Sequence, residues 1–297
     1  MQETSEIKAL LHLLDDPDSA VYDTVKSRLL SYGKEVIPNL QDAWEQTTSQ
    51  DLQQRIEDLI HEVSYECIVD ELQLWLETQD KSLVDALIIC SKYRYQDVDD
   101  YAIRKQIKEI RQSIWLELNQ YLTPLEQATV ISSIMYSYYR FTYEDPTTER
   151  FDCCFINNAL HSKVGSSYIL GMIILDLCKS LDINLVAVNM PNVFLLAYVD
   201  RKHVFFAEET ETESTDDFIF YMDPSSGTIF SQSDVEAYLK KNDYSNDPQY
   251  YKILDNTEVL ALHLKHLVQL YGNGEIINTR EKELLKLIDL IRPDSAL

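Results

Sequence analysis

The segment following Gly165-Ser166-Ser167 restricts the fold more than any other. Tyr168, Ile169, Leu170, Met172, Ile173, Ile174, Leu175, Leu177 and Cys178 follow in close order, so the helix they predict is apolar on almost every side. Such a helix must be covered on almost every side. Its longest apolar run, Tyr168 to Leu175, is far short of the roughly 18 residues that mark a membrane span, so a protein core is the expected cover. Short β-like runs follow at Leu185–Val188, Phe194–Val199, His203–Phe206, Phe218–Tyr221 and Thr228–Phe230. They are punctuated by turn signals at Asp200-Arg201-Lys202 and Asp223-Pro224-Ser225-Ser226-Gly227. One buried helix followed by a small antiparallel sheet predicts an α+β fold.

The rest of the chain reads as helix. Ile7, Leu10, Leu11, Leu13 and Leu14 have helical spacing, and Asp15-Asp16-Pro17-Asp18-Ser19 breaks that helix and offers caps to the next. Val21, Val25, Leu29 and Leu30 precede a stop at Gly33, and Val36, Ile37, Leu40 and Trp44 begin a third helix. The phrase "LLDDPDSAVYDTVKSRLLSYGKEVIPNL" resembles a HEAT-type repeat. Further helices are predicted over 66–140, one carrying Ile103, Ile107, Ile110 and Ile114. Thr123-Pro124-Leu125-Glu126 reads as a capping box with proline at the first helical position, opening a helix that runs to about Tyr139. The C-terminal pair, Leu260–Leu270 and Leu284–Ile291, resembles one tetratricopeptide unit. The expected divisions are a HEAT-like region (1–65), a helical region (66–150), an α+β core (151–245) and a helical hairpin (246–297).

Composition excludes several functions. Fifty acidic against 26 basic residues give a formal charge of −24, which argues against a nucleic-acid binder, since phosphate binding needs a cationic footprint. Six glycines and no G-x-G-x-x-G or G-x-x-x-x-G-K-[ST] leave no nucleotide fingerprint. The five cysteines have no framework spacing, and neither C-x-x-C nor H-E-x-x-H occurs. Reduced thiols in a cytoplasmic protein without metal, cofactor or membrane partner are expected. His263 and His266, three apart near a helix C-terminus where positive charge is favoured, lack a third metal ligand. Arg104, Lys108 and Arg111 form a basic stripe, either a solvated face or a docking surface for an acidic protein partner. Glu208 to Asp217 holds six acids and no base, which predicts a solvated loop.

Residues 155–227 resemble the transglutaminase-like superfamily, and more narrowly its bacterial SirB-type branch. That branch shows G-x-P-I-S-L opening a helix, then P-G-H-F-L, then I-D-P-x-x-G. The corresponding stretches are "FINNALHSKVGSSYILGMIILDLCKSLDINLVAVNMPNVFLLAYV" and "IFYMDPSSGTIF". The resemblance implies a cysteine nucleophile at the helix start, a histidine base on a following strand and an acid on the next. The nucleophile position falls on Ser167 or Ile169, the histidine position on Val193, and only the acid, Asp223, is retained. A valine cannot take a proton, and an unactivated serine is a weak nucleophile. The expected function is therefore a non-catalytic protein-interaction or regulatory module. The alternative is a hydrolase or acyltransferase rebuilt from Ser167, Cys153 or Cys154 with His161 or His203.

Overall fold

Helix breaks in the N-terminal region fall where the turn residues put them. In a computed structural model, which describes residues 2–200, 218–244, 247–272 and 278–293, α1 (Gln2–Leu13) is followed by α2 (Ser19–Leu30), a 3-10 turn (Gly33–Val36) and α3 (Ile37–Gln46). The Asp18 side chain accepts the Ala20 N–H and so starts α2, satisfying a donor without a helical partner. Pro38 lies in the first turn of α3, where its missing donor costs nothing. Helix α4 (Gln50–Glu77) comes next, and Arg55 donates to the carbonyls of Leu14 (2.7 Å) and Asp16 (3.1 Å) beyond the end of α1. Residues 1–74 and 92–97 make one compact unit. Its core is built from Leu14, Leu29, Val36, Leu40, Ile56 and Leu59.

Residues 75–91 and 98–297 make the second unit. Helix α5 (Leu83–Arg94) begins here, followed by α6 (Asp100–Glu117), which buries the four isoleucines of its apolar stripe. Thr123 and Glu126 cap α7 (Pro124–Ser132) reciprocally, as their spacing predicts. The expected continuation to Tyr139 is not regular α-helix. The chain widens into a π-helical turn (Ser133–Tyr138), closed by Tyr139 N–H donating to the Ile134 carbonyl at 2.9 Å. A short parallel pair, β1 (Thr142–Tyr143) with β2 (Val164–Gly165), brackets α8 (Ile156–Ser162).

The all-apolar segment forms α9 (Ser167–Ser180), with Ile169, Leu170, Met172, Ile173, Ile174 and Leu177 no more than 1% exposed. Burying each such side chain is worth about 1.5–3 kcal/mol. Strands β3 (Leu185–Val188), β4 (Leu195–Val199), β5 (Phe218–Met222), β6 (Ile229–Phe230) and β7 (Ile253–Leu254) form one antiparallel sheet in the order β6-β5-β4-β3-β7. Helices α10 (Gln232–Lys241), α11 (Asn256–Tyr271) and α12 (Thr279–Ile291) complete the unit. The α+β class expected from the pattern is the class observed. The run at His203–Phe206 and the acidic segment at Glu208–Asp217 lie outside the described residues. Among the described residues, no helix is long and apolar enough to cross a membrane.

One glycine fixes how closely the sheet's entry approaches α9. A Cβ on Gly171 would lie 2.4 Å from Phe194 Cε1 and 3.1 Å from Pro224 Cβ. Alanine is favoured over glycine within a helix by about 1 kcal/mol, but overpacking a close contact costs about 1–3 kcal/mol. Gly171→Ala is expected to lower the urea midpoint. A raised midpoint would show that Phe194 does not rest on α9.

Candidate functional site

The first turn of α9 collects several segments distant in sequence. Ser166 is fully buried and caps the helix, its hydroxyl accepting the Ile169 N–H at 3.4 Å. The Tyr168 ring lies 4.9 Å from Phe194 on one side and 5.1 Å from His266 on another. Phe194 follows Asn192, whose φ of 61° is left-handed and turns the chain before β4. Val193 between them is 40% exposed. The turn at Asp223 reaches the same end of α9 through Pro224, whose carbonyl accepts the Tyr136 hydroxyl at 2.5 Å. Gly227 closes that turn with φ 72°, and a Cβ there would collide with Ser132 and Tyr136. The helix start, the Pro191-Asn192-Val193-Phe194 segment and the Asp223 turn therefore meet, although they are far apart along the chain.

Two thiols lie beside this junction. Cys153 and Cys154 belong to a 3-10 turn (Asp152–Cys154), and the Cys153 carbonyl accepts the Ser166 N–H at 3.0 Å. Both are buried and free. The Cys153 thiol donates to the Glu144 carbonyl at 3.8 Å. Glu144 is held by its N–H to the Gly165 carbonyl, and Tyr143 donates to Asp145 at 3.0 Å. Its neighbour Cys154 lowers the pKa of Cys153, and Cys153 together with burial raises that of Cys154.

Comparisons with known proteins bear on this junction. The family profile of the transglutaminase-like superfamily matches residues 101–265, more than half of the chain. The chain belongs to the transglutaminase-like superfamily. It is also similar to two curated proteins named SirB1, from Salmonella typhimurium and Salmonella typhi, each 22% identical over 166 residues. That alignment covers 56% of this chain and 56% of either relative, so the chain spans about half the length of the curated relatives it matches. No solved structure matches.

Within this transglutaminase-like domain the sequence-predicted residues fare differently. Ser167 is half-buried on the first turn of α9, and Ile169 is fully buried. Asp223 serves its own turn: its carboxylate accepts the Ser225 N–H at 2.7 Å and the hydroxyls of Ser225 and Ser226. His161 is exposed in the last turn of α8, and His203 lies outside the described residues. Arg104 is ion-paired with Asp85, and Arg111 donates to the Ser180 hydroxyl and carbonyl, both at 3.1 Å. Lys108 is exposed. Two of the three cations thus serve intramolecular contacts. Among the described residues, no three His, Cys, Asp or Glu side chains are grouped to hold a metal ion.

Sequence reasoning missed Asp145 and Tyr168, and it read His263 and His266 by the wrong rule. Both imidazoles lie on α11, and His263 is fully buried with both ring nitrogens unpartnered. Burial, reinforced by His266, pushes its pKa down to about 3, so the helix C-terminus does not hold it charged. The unfolded chain takes up this proton near pH 6.5, whereas the folded chain does so only near pH 3. The stability that depends on a neutral His263 is full above pH 6.5 and is lost as pH falls from there towards 3. His263→Leu is expected to flatten the acid limb of the stability curve by about 1.4 kcal/mol per pH unit between these limits. Equal slopes in urea titrations of the two proteins would contradict this.

Proposed function

We propose that this chain is a non-catalytic member of the superfamily that acts as a protein-interaction or regulatory module. The observation that carries the reading is the chemistry at the junction of α9, Val193 and Asp223. An exposed valine stands where the family uses a base, and a buried isoleucine or a lone serine stands where it uses a thiol. The Asp223 carboxylate is occupied by its own turn. His263 Nδ1 and Nε2 and His266 Nε2 have no hydrogen-bond partner, so none of these nitrogens is bonded to a thiol or hydroxyl. Triads owe rate enhancements of about 10⁶ or more to such partners.

A protein partner is supported by apolar side chains left in water around the end of α6 and the start of α7. Trp115 is 60% exposed and Tyr121 83%, with Leu116 and Leu125 more than half exposed. Large apolar groups grouped in solvent mark contact surfaces. Lys108 is free to add charge at its edge.

Two measurements test the reading. Aryl-ester and thioester substrates should show no turnover above buffer with the native chain or with Val193→His, which still lacks a nucleophile. Turnover by either protein would overturn the non-catalytic reading. Trp115→Glu combined with Leu116→Glu should abolish partner recovery in affinity capture while leaving the circular dichroism spectrum unchanged. Full recovery by the folded double variant would remove this surface from the proposal.

A further inference from the structure

A cleft of about 470 Å³ opens in the second unit beside the C-terminal half of α9, whose other end carries the junction. Sites for small molecules have about this volume, an apolar body and a few polar groups that fix orientation. The buried side chains of Leu83, Leu175, Leu185 and Leu254 supply the apolar part. Four carboxylates, Asp80, Asp176, Asp182 and Asp255, stand against two ammonium groups, Lys81 and Lys179, so the lining carries two negative charges in excess. One wall is held in place by Asn256, whose side-chain amide donates to the Lys81 carbonyl at 2.8 Å. We propose that this cleft binds a linear aliphatic diamine, its methylenes against the leucines and its two ammonium groups on the carboxylates.

The lining excludes the other charge classes. An anion finds its usual partners taken. Lys179 donates to the Asp80 carboxylate at 2.7 Å and to the Asp80 carbonyl at 2.5 Å. Two helix starts reach the cleft, α5 and α11, and a helix start ordinarily attracts an anion. Each is already capped by a carboxylate of the protein. Asp176 accepts the Ser82 hydroxyl and the Val84 N–H at the start of α5. Asp255 accepts the Glu258 N–H at 2.8 Å and the Thr257 hydroxyl at 2.5 Å at the start of α11. Capping leaves both negative charges in place. The remaining helix end is the C-terminus of α9, whose partial negative charge favours a cation.

The kind of cation follows from what the lining lacks. Among its described residues there is no aromatic ring, so a planar base has nothing to stack on and a quaternary ammonium has no cage. A primary ammonium needs only acceptors, for its three hydrogens. Burial raises the pKa of Asp176, and an ammonium beside it opposes that rise. A chain of methylenes between two such groups matches an apolar lining with a double charge excess.

Equilibrium dialysis of the whole chain against radiolabelled 1,4-diaminobutane, at about 150 mM salt to screen diffuse attraction, tests the proposal. One saturable site is expected. Unlabelled 1-aminobutane and glutarate should compete at least about tenfold more weakly than unlabelled diamine. Asp182→Asn combined with Asp255→Asn should weaken binding about tenfold or more. Asparagine keeps a capping oxygen at 255 and tolerates the left-handed backbone at 182, where φ is 55°. Asp176→Asn should weaken binding similarly; should that chain fail to fold, the Asp182/Asp255 variant decides. Absence of saturable binding, uptake that magnesium displaces equally well, equal competition by 1-aminobutane, or undiminished binding by the folded variants would each overturn the assignment.

Discussion

A helix without a polar face cannot end its burial in water, and the second unit is organised around that constraint. Ile169, Leu170, Met172, Ile173, Ile174, Leu177 and Cys178 leave α9 no side that solvent can wet. The only acid in α9, Asp176, is itself put to structural use. Its carboxylate accepts the Ser82 hydroxyl at 2.9 Å and the Val84 N–H at 3.3 Å, which secures the start of α5. Burial raises its pKa, and the donors it meets offset that rise. Apart from Asp176, the polar groups of α9 lie towards its two ends, and the N-terminal end is where the distant segments gather.

How much of this was legible depends on where the instruction for each element resides. Elements encoded by their own residues were readable: the apolar run of α9, the Thr123/Glu126 capping box, the Asp18 cap and the short apolar runs of β4 and β5. Elements encoded by a neighbour were not. The two-residue strand β7 exists because Val188 and Ala187 offer it an edge, and the parallel pair β1–β2 exists because α8 returns Val164 beside Thr142. Nothing in "IL" or "TY" announces either. The π-helical turn is of the same kind. It carries Tyr136 within reach of the Pro224 carbonyl, a contact that no local pattern shows.

The candidate site follows the same rule. The three turns themselves are local and readable: Gly-Ser-Ser before the helix, Pro-Asn-Val-Phe before a strand, Asp-Pro-Ser-Ser-Gly after one. Their convergence on one end of α9 is a property of packing, through Gly171, Phe194 and Pro224. Side-chain chemistry at surface positions was harder to read. Arg104 and Arg111 look like a cationic stripe along α6, yet Asp85 and Ser180 lie across from them on other elements. His263 shows the opposite error, since a helix-end argument describes an exposed imidazole and this one is fully buried.

Scaffold and chemistry answer to different demands at the junction. Ile169 and Phe194 satisfy the core at this junction. The N–H groups of the first turn of α9 make a partly positive helix end. The Ser166 hydroxyl satisfies one of them, and the Ser166 N–H is given to the Cys153 carbonyl. Thiols on the preceding 3-10 turn can therefore stand beside that N-terminus without occupying a helical position.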